Sequence, residues 1–341
     1  MTFVAWDVAW HHALYGRNGF YRRPGGPAAH FRTSVHASDQ LAGALLELAR
    51  RAGLRRVVDV GSGRGELLKS LRRTADAQGL TVELVGCDVV DQPPDLLPDV
   101  AWVRSDGGTG VPEALWPWLD GALVVAHEWL DDVPCPVAQR SRDLTWRAVE
   151  VEPSSGRERL GSELEPREHG WLERWWPVAD PRPGDRAEVG LARDDAWTSL
   201  VEHAESSLLL AVDYGHVRRS RPPLGTLTGY RDGRGCAPVP DGSCDVTAHV
   251  AIDAVGAAGE SAGACASHLT TQREALRALG VDGSLPPAGT ASADPMGYLR
   301  ALSTASHAGE LLDPSGLGGF WWLVQSTSPQ LADLPHLLDP G

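Results

Sequence analysis

A chain of 341 residues, 42% hydrophobic and 22% charged, is globular and carries enough apolar material for a substantial core in one large or two small domains. Its net charge of −14 argues against a nucleic-acid surface, which needs clustered Lys and Arg, and at most favours a basic protein partner. The N-terminus shows no basic segment followed by an apolar run, and no stretch reaches membrane-spanning length, so a soluble cytoplasmic protein is expected.

Residues 1–38 mix aromatics and glycines, predicting a short helix up to Leu14 and then a loop. Ser38 or Asp39 can cap a helix from Gln40 to about Ala52, whose Leu41, Ala44, Leu45 and Leu48 form one apolar stripe. Val57–Val60 then reads as a strand that runs through Gly61-Ser62-Gly63-Arg64-Gly65 into a helix ending near Gln78. Such a turn brings backbone N–H groups and a helix N-terminus to one point, ready for an anionic or polar ligand. The spacing is G-x-G-x-G with Glu at 66, which departs from the dinucleotide fingerprint G-x-G-x-x-G. With Asp59 two residues before the first glycine, it looks like the first motif of S-adenosylmethionine (SAM) methyltransferases. The next strand, 82–87, ends in Asp88, where a doubly wound sheet reads a ribose. A strand at Val100–Arg104 ends near Asp106 and two glycines, and Asp106 is counted with the cofactor-binding residues. The continuous apolar run Ala122–Ala126 suits a central parallel strand buried on both faces. At its tip stands His127-Glu128-Trp129-Leu130-Asp131-Asp132, a set of ionisable groups that predicts a polar cleft. Glu128 reads as functional and Asp132 as a helix cap.

The βα alternation then stops. Residues 135–190 predict an antiparallel piece at Leu144–Val151 and a segment bearing Trp171, Trp175 and Trp176, read as packing of an insertion rather than a peptide-binding surface. A helix from Asp194 to Ser206 leads to an apolar strand at Leu208–Val212. Residues 216–245, rich in Pro, Gly and Arg, read as a long loop, a lid or substrate-binding segment. Asp245 and Thr247 offer caps for a helix near 247–258, Ser261–Ser267 reads as flexible, and Thr271–Leu279 as a helix stopped by Gly280. Phe320–Gln325 reads as a late strand, an antiparallel edge addition. Five scattered cysteines without a C-x-x-C pair fit reduced thiols, with no metal site.

Four segments together resemble the MidA-like family of SAM-dependent methyltransferases, which includes a mitochondrial complex I assembly factor that methylates an arginine. They are V-D-V-G-S-G-R-G at 57–64, H-E-W-L-D-D-V-P at 127–134, L-L-L-A-V-D-Y-G at 208–215, and G-T-L-T-G-Y-R at 225–231 continuing to D-V-T-A-H-V at 245–250. The resemblance implies an α/β fold: a Rossmann-like seven-stranded SAM-methyltransferase sheet with helical and loop insertions forming a substrate cover. It implies that Asp59, Gly61, Ser62, Gly63, Gly65 and Asp88 hold SAM, and that Thr33 and Ser34 close over it. It matches Glu128 and Asp131 to the family's N-E-x-x-D-A-x-P segment beside the methyl donor, with an arginine of a protein as acceptor. His127 stands where the family usually has Asn, and His36 where it has Glu. His127 is a candidate base near neutral pH.

The organisation expected is a closing segment at 1–52, a SAM-binding half at 53–134, an insertion at 135–200, and completion of the sheet at 201–341 with a further insertion at 216–310. Two other readings stay open: a SAM-binding assembly factor without methyl transfer, kept alive by His36 and His127, and an NAD-dependent oxidoreductase.

Overall fold

The computed structural model describes residues 2–23 and 39–339. Seven strands make the central sheet: β1 (Arg56–Val60), β2 (Glu83–Asp88), β3 (Ala101–Arg104), β4 (Leu123–His127), β5 (Leu208–Asp213), β6 (Ala266–Thr271) and β7 (Trp321–Ser326). Their order is β6-β7-β5-β4-β1-β2-β3. The five strands β1 to β5 run parallel, with Val58 opposite both Val85 and Val124, and Leu210 opposite Val125. β7 is antiparallel to both β5 and β6.

Side chains alternate across the sheet, and both faces are apolar, as a sheet covered on two sides requires. Val57, Leu84, Val125 and Leu210 meet the helices Asp39–Arg51 and Glu66–Gln78, whose Leu41, Leu45, Leu48, Leu68 and Leu71 are fully buried. Their neighbours Val58, Val85, Val124 and Leu209 face the other way, toward Trp197, Leu200 and Val255 of helices Leu191–Glu202 and Ile252–Ser261. Each such side chain contributes about 1.5–3 kcal/mol on full burial, so this three-layer core holds the strand tips rigidly.

The insertion folds as its own antiparallel sheet. Trp146–Glu152 pairs with Val137–Arg140, with Arg157–Glu163 and with the N-terminal Val4–Ala5. Leu144 sits in the turn before it at φ +67°, so the strand starts two residues later than its apolar pattern predicts. Trp171 and Trp176 are buried against Leu172, Ala187 and Val189, as packing rather than as an exposed surface.

Four expectations are corrected. Residues 216–245 are not one long loop: Thr228–Arg231 pairs with Arg234–Cys236 and with Asp245–Thr247. Asp245 and Thr247 therefore lie in a strand and cap no helix; the helix begins at Ile252. Ser261–Ser267 runs into β6, and that strand takes the sheet edge, leaving β7 between two partners. The helix expected at Asp194 begins at Leu191, which places Asp194 inside it, hydrogen-bonded by the Trp171 indole at 2.7 Å. Gln272–Ala278 is helical as expected, with Thr271 and Glu274 closing a capping box.

Candidate functional site

The C-terminal tips of β1, β2, β4 and β5 surround a cavity of about 440 Å³, within the ~300–1,000 Å³ range of small-molecule sites. One half is built from backbone. Gly61 and Ser62 each donate their N–H to the Cys87 carbonyl, at 2.9 and 3.1 Å, tying the glycine loop to β2. The Ser62 hydroxyl donates to the Asp59 carbonyl at 2.7 Å and accepts from the Cys87 N–H at 3.2 Å. It lines the cavity, but its hydrogen bonds are spent inside the loop. Gly61 has φ +77°, and a Cβ there would stand 2.9 Å from Trp129, so only glycine leaves this wall open. Gly63 has φ +57° and donates its N–H to Asp88 Oδ2 at 2.8 Å, while Val90 N–H reaches Asp88 Oδ1 at 3.2 Å. Gly65 starts the helix Glu66–Gln78 in the left-handed region and is not part of the cavity lining.

Two carboxyls look into this half. Asp59 is buried, and its Oδ2 has no hydrogen-bond partner among the described residues. Burial, opposed by Ser62, lifts it to about 7. Burial also lifts Asp88 to about 6, against the pull of its backbone donors. Asp106 does not line the cavity; it is exposed, and its carbonyl is held by Arg22 at 3.3 Å. The strand tip turns Ser105 inward instead, where its hydroxyl accepts from Gly107 N–H. Thr33 and Ser34 lie outside the described residues.

The other half is built from side chains that the fold gathers from distant segments. Asp131 accepts from the Tyr214 hydroxyl and, at 2.7 Å, from Thr247 Oγ1. Tyr21 bridges Asp132 and Asp245, the latter at 3.0 Å. Asp132 caps no helix. Asp213 accepts the N–H groups of Leu130 and Asp131 at 3.1 and 3.2 Å and so fixes the loop after β4. Behind it, buried Arg193 donates to the carbonyls of Asp131, Val133 and His249, at 2.6, 3.2 and 2.9 Å. Arg193 thus positions the loop without forming an ion pair to any of these carboxyl groups.

This leaves excess negative charge in a place poor in water. One oxygen each of Asp131, Asp132 and Asp213 is sealed from solvent and lacks a partner among the described residues. Burial raises all three, and mutual repulsion raises Asp132 and Asp213 further. Asp245 is lifted to about 7 by burial and by Asp131. A set of acids in such surroundings either retains protons or takes up a cation.

Glu128 lies between the halves. It has φ +50°, a conformation that costs a non-glycine residue about 1–3 kcal/mol. A 2.8 Å bond from its N–H to the Val212 carbonyl holds it there and turns the carboxylate toward the cavity. His127 Nδ1 is 3.5 Å from Glu128 Oε1. Burial lowers His127 to about 4, so it is neutral at physiological pH, and its buried Nε2 has no partner among the described residues. A base of that strength is poorly matched to neutral pH.

The sequence profile of a family of S-adenosyl-L-methionine-dependent methyltransferases matches residues 39–270, about two thirds of the chain. The chain belongs to this family. Its cofactor is S-adenosylmethionine. Two solved structures from Burkholderia thailandensis share the fold. A COG1565 superfamily member bound to S-adenosylhomocysteine is 21% identical, with a TM-score of 0.73 over 95% of this chain and 88% of that one. A second COG1565 superfamily protein is 22% identical, with a TM-score of 0.73 over 95% and 87%. No curated protein matches the chain.

The residues present fit that cofactor. The open wall at Gly61 and the buried, unpartnered Asp59 Oδ2 offer room and an acceptor for polar groups, and Asp88 stands at the strand tip suited to a ribose. Sequence reasoning missed Tyr21, Tyr214, Asp245 and Thr247 as parts of the site. The D-Y-G at 213–215 and D-V-T at 245–247 were visible as motifs, but nothing local says that they meet Asp131.

Proposed function

We propose that the protein is a SAM-dependent methyltransferase that methylates a cationic side chain of another protein, an arginine guanidinium. The observation that supports this is the group of carboxyls that line the cavity, buried Asp131 and Asp245 with half-buried Asp132, which no cation among the described residues neutralises through an ion pair. A guanidinium offers paired N–H donors in the geometry carboxylates accept, and one side chain can satisfy two such groups at once. The family resemblance to an arginine-methylating assembly factor points the same way.

In this reading Asp59, Gly61, Gly63 and Asp88 hold SAM, with Ser62 and Gly65 shaping the loop. Bound SAM supplies an electrophilic methyl group on its sulfonium. Glu128 and Asp131 would hold the guanidinium where the two halves of the cavity meet, and positioning of this kind would be the main source of rate. The proton shed by the acceptor nitrogen passes to a carboxylate of the cluster, where raised affinities favour its retention. His127, held neutral by burial, is not the base in this reading. A cytoplasmic setting fits the five unpaired cysteines.

The test is transfer of a tritiated methyl group from SAM into a lysate of the source cells, followed by acid hydrolysis. We expect label in methylarginine. Glu128→Gln keeps the shape but loses the charge, and transfer should fall at least about tenfold, equivalent to ~1.4 kcal/mol. Label in another residue would refute the arginine acceptor. No label, with SAM still bound, would favour a SAM-binding assembly factor.

A further inference from the structure

A second cavity, of about 530 Å³, opens beside the first and shares three lining residues with it: Tyr214, His249 and Phe320. All three belong to the side-chain-built half. None of the glycine loop, Asp59 or Asp88 borders the second cavity. It therefore adjoins the acidic half of the site without touching the cofactor half.

The shared rim has a fixed post. The Tyr214 ring meets His249 and Phe320 edge-on, with centroids at 5.2 and 5.4 Å. Its hydroxyl is anchored on Asp131 and, at 2.5 Å, on Thr247 Oγ1. The faces of Tyr214 and Phe320 that stay open attract a cation placed within about 6 Å of the ring centroid. Beyond them, Glu310 and Asp313 line the second cavity. Asp313 spends one oxygen on the N–H and hydroxyl of Ser315, at 2.9 and 2.7 Å. Half-buried Glu310 has no ion pair or side-chain hydrogen bond among the described residues. The nearby cation, Arg273, is engaged by the Leu312 carbonyl at 2.7 Å and its field acts on Asp313. Gly215, Gly316 and Gly319 also border the cavity, so part of its wall is bare backbone that can hydrogen-bond an extended segment.

We propose that this second cavity is the docking lane of the acceptor protein: an extended segment lies in it, a Lys or Arg of that segment faces Glu310, and the neighbouring side chain reaches past the rim of Tyr214, His249 and Phe320 toward the carboxylate cluster. The proposal rests on the arginine reading for what reaches the cluster. The lane itself adds a preference for basic residues flanking the methylated one.

The experiment titrates three synthetic, end-capped heptapeptides into the full chain saturated with S-adenosylhomocysteine, at low salt. One has a central arginine with glycine flanks, the second the same arginine with lysine flanks, and the third citrulline with lysine flanks. The lysine-flanked arginine peptide should bind about threefold to fivefold more tightly than the glycine-flanked one, the scale of one partly exposed ion pair. That preference should vanish in Glu310→Lys, whose affinity for S-adenosylhomocysteine stays unchanged, and should shrink in high salt. Equal binding of the two arginine peptides would overturn the lane, as would a preference that survives Glu310→Lys. If the citrulline peptide binds as well as its arginine twin, the lane stands and the arginine reading falls. If no peptide binds, both fall.

Discussion

The two halves of the cavity are made in different ways. The cofactor half comes from backbone: the loop at 61–65, two N–H groups anchored on the Cys87 carbonyl, and N–H groups that hold Asp88. The acceptor half comes from side chains, with Tyr21 reaching 111 residues to Asp132 and 224 to Asp245. A backbone-built site is fixed once its strand–turn–helix forms and tolerates change elsewhere. A side-chain network of buried acids depends on every member, because each unpartnered group is costly. Damage to one half should therefore leave the other working.

The largest effect should come from Gly63→Val. A β-branched residue at φ +57° is strained and disturbs the N–H bond to Asp88. We expect calorimetry to show S-adenosylhomocysteine affinity falling about a hundredfold, ~2.7 kcal/mol, with circular dichroism native-like. Unchanged affinity would remove the glycine loop from the cofactor half.

Asp88→Ala should follow, costing about 1.5–3 kcal/mol of the same affinity through loss of charge-assisted acceptors. A loss below tenfold would mean that the ribose is held elsewhere.

Tyr21→Phe sharpens the comparison from the other side. It removes the donor shared by Asp132 and Asp245 and should destabilise the fold by about 1–3 kcal/mol in urea unfolding, while cofactor affinity stays within twofold. A stability change without a hydroxyl-linked effect at Asp132, seen as an unchanged double cycle with Asp132→Asn, would contradict the bridge.

The smallest effect concerns pH. Asp245 sits near 7, raised above its unfolded value, so it is protonated below that pH and charged above it. The attraction of the cluster for a guanidinium should grow as pH rises from 6 to 8, by a few-fold, about one ion pair's worth. The groups that share this titration are Asp131, Asp132 and Asp213, while Tyr21 and Tyr214, raised further by burial, stay neutral and Arg193 is the fixed positive charge. Arginine-peptide affinity that is flat across this range, or that falls, would show that the cluster does not receive the cation.

The same division explains what the sequence reveals. The strand, glycine turn and helix at 57–78 and the strand end at Asp88 are local patterns, and the structure reproduces them within a residue or two. Glu128 and Asp131 are expected beside a polar cleft because they follow a buried apolar strand, and both line the cavity. The tie from Tyr21 to Asp245 has no local signal, since it depends on how the N-terminal helix packs against the strand Asp245–Thr247. The hairpin within 216–245 did leave one: Asp232-Gly233, both at positive φ, is a two-residue turn of the type that joins antiparallel strands. Pro, Gly and Arg around it mask the alternation. β6 was hidden because A-S-H-L-T-T is polar, as an edge strand can be; it becomes a strand through pairing with β7.

The central claim is that a backbone-built cofactor half works independently of a side-chain-built acceptor half. The most direct measurement is calorimetric titration of S-adenosylhomocysteine into the wild type and into Asp131→Asn, which alters the acceptor cluster while keeping its shape. One molecule should bind per chain in both, with affinities within twofold. No binding by the wild type, or a tenfold loss in Asp131→Asn while the fold stays intact, would contradict it.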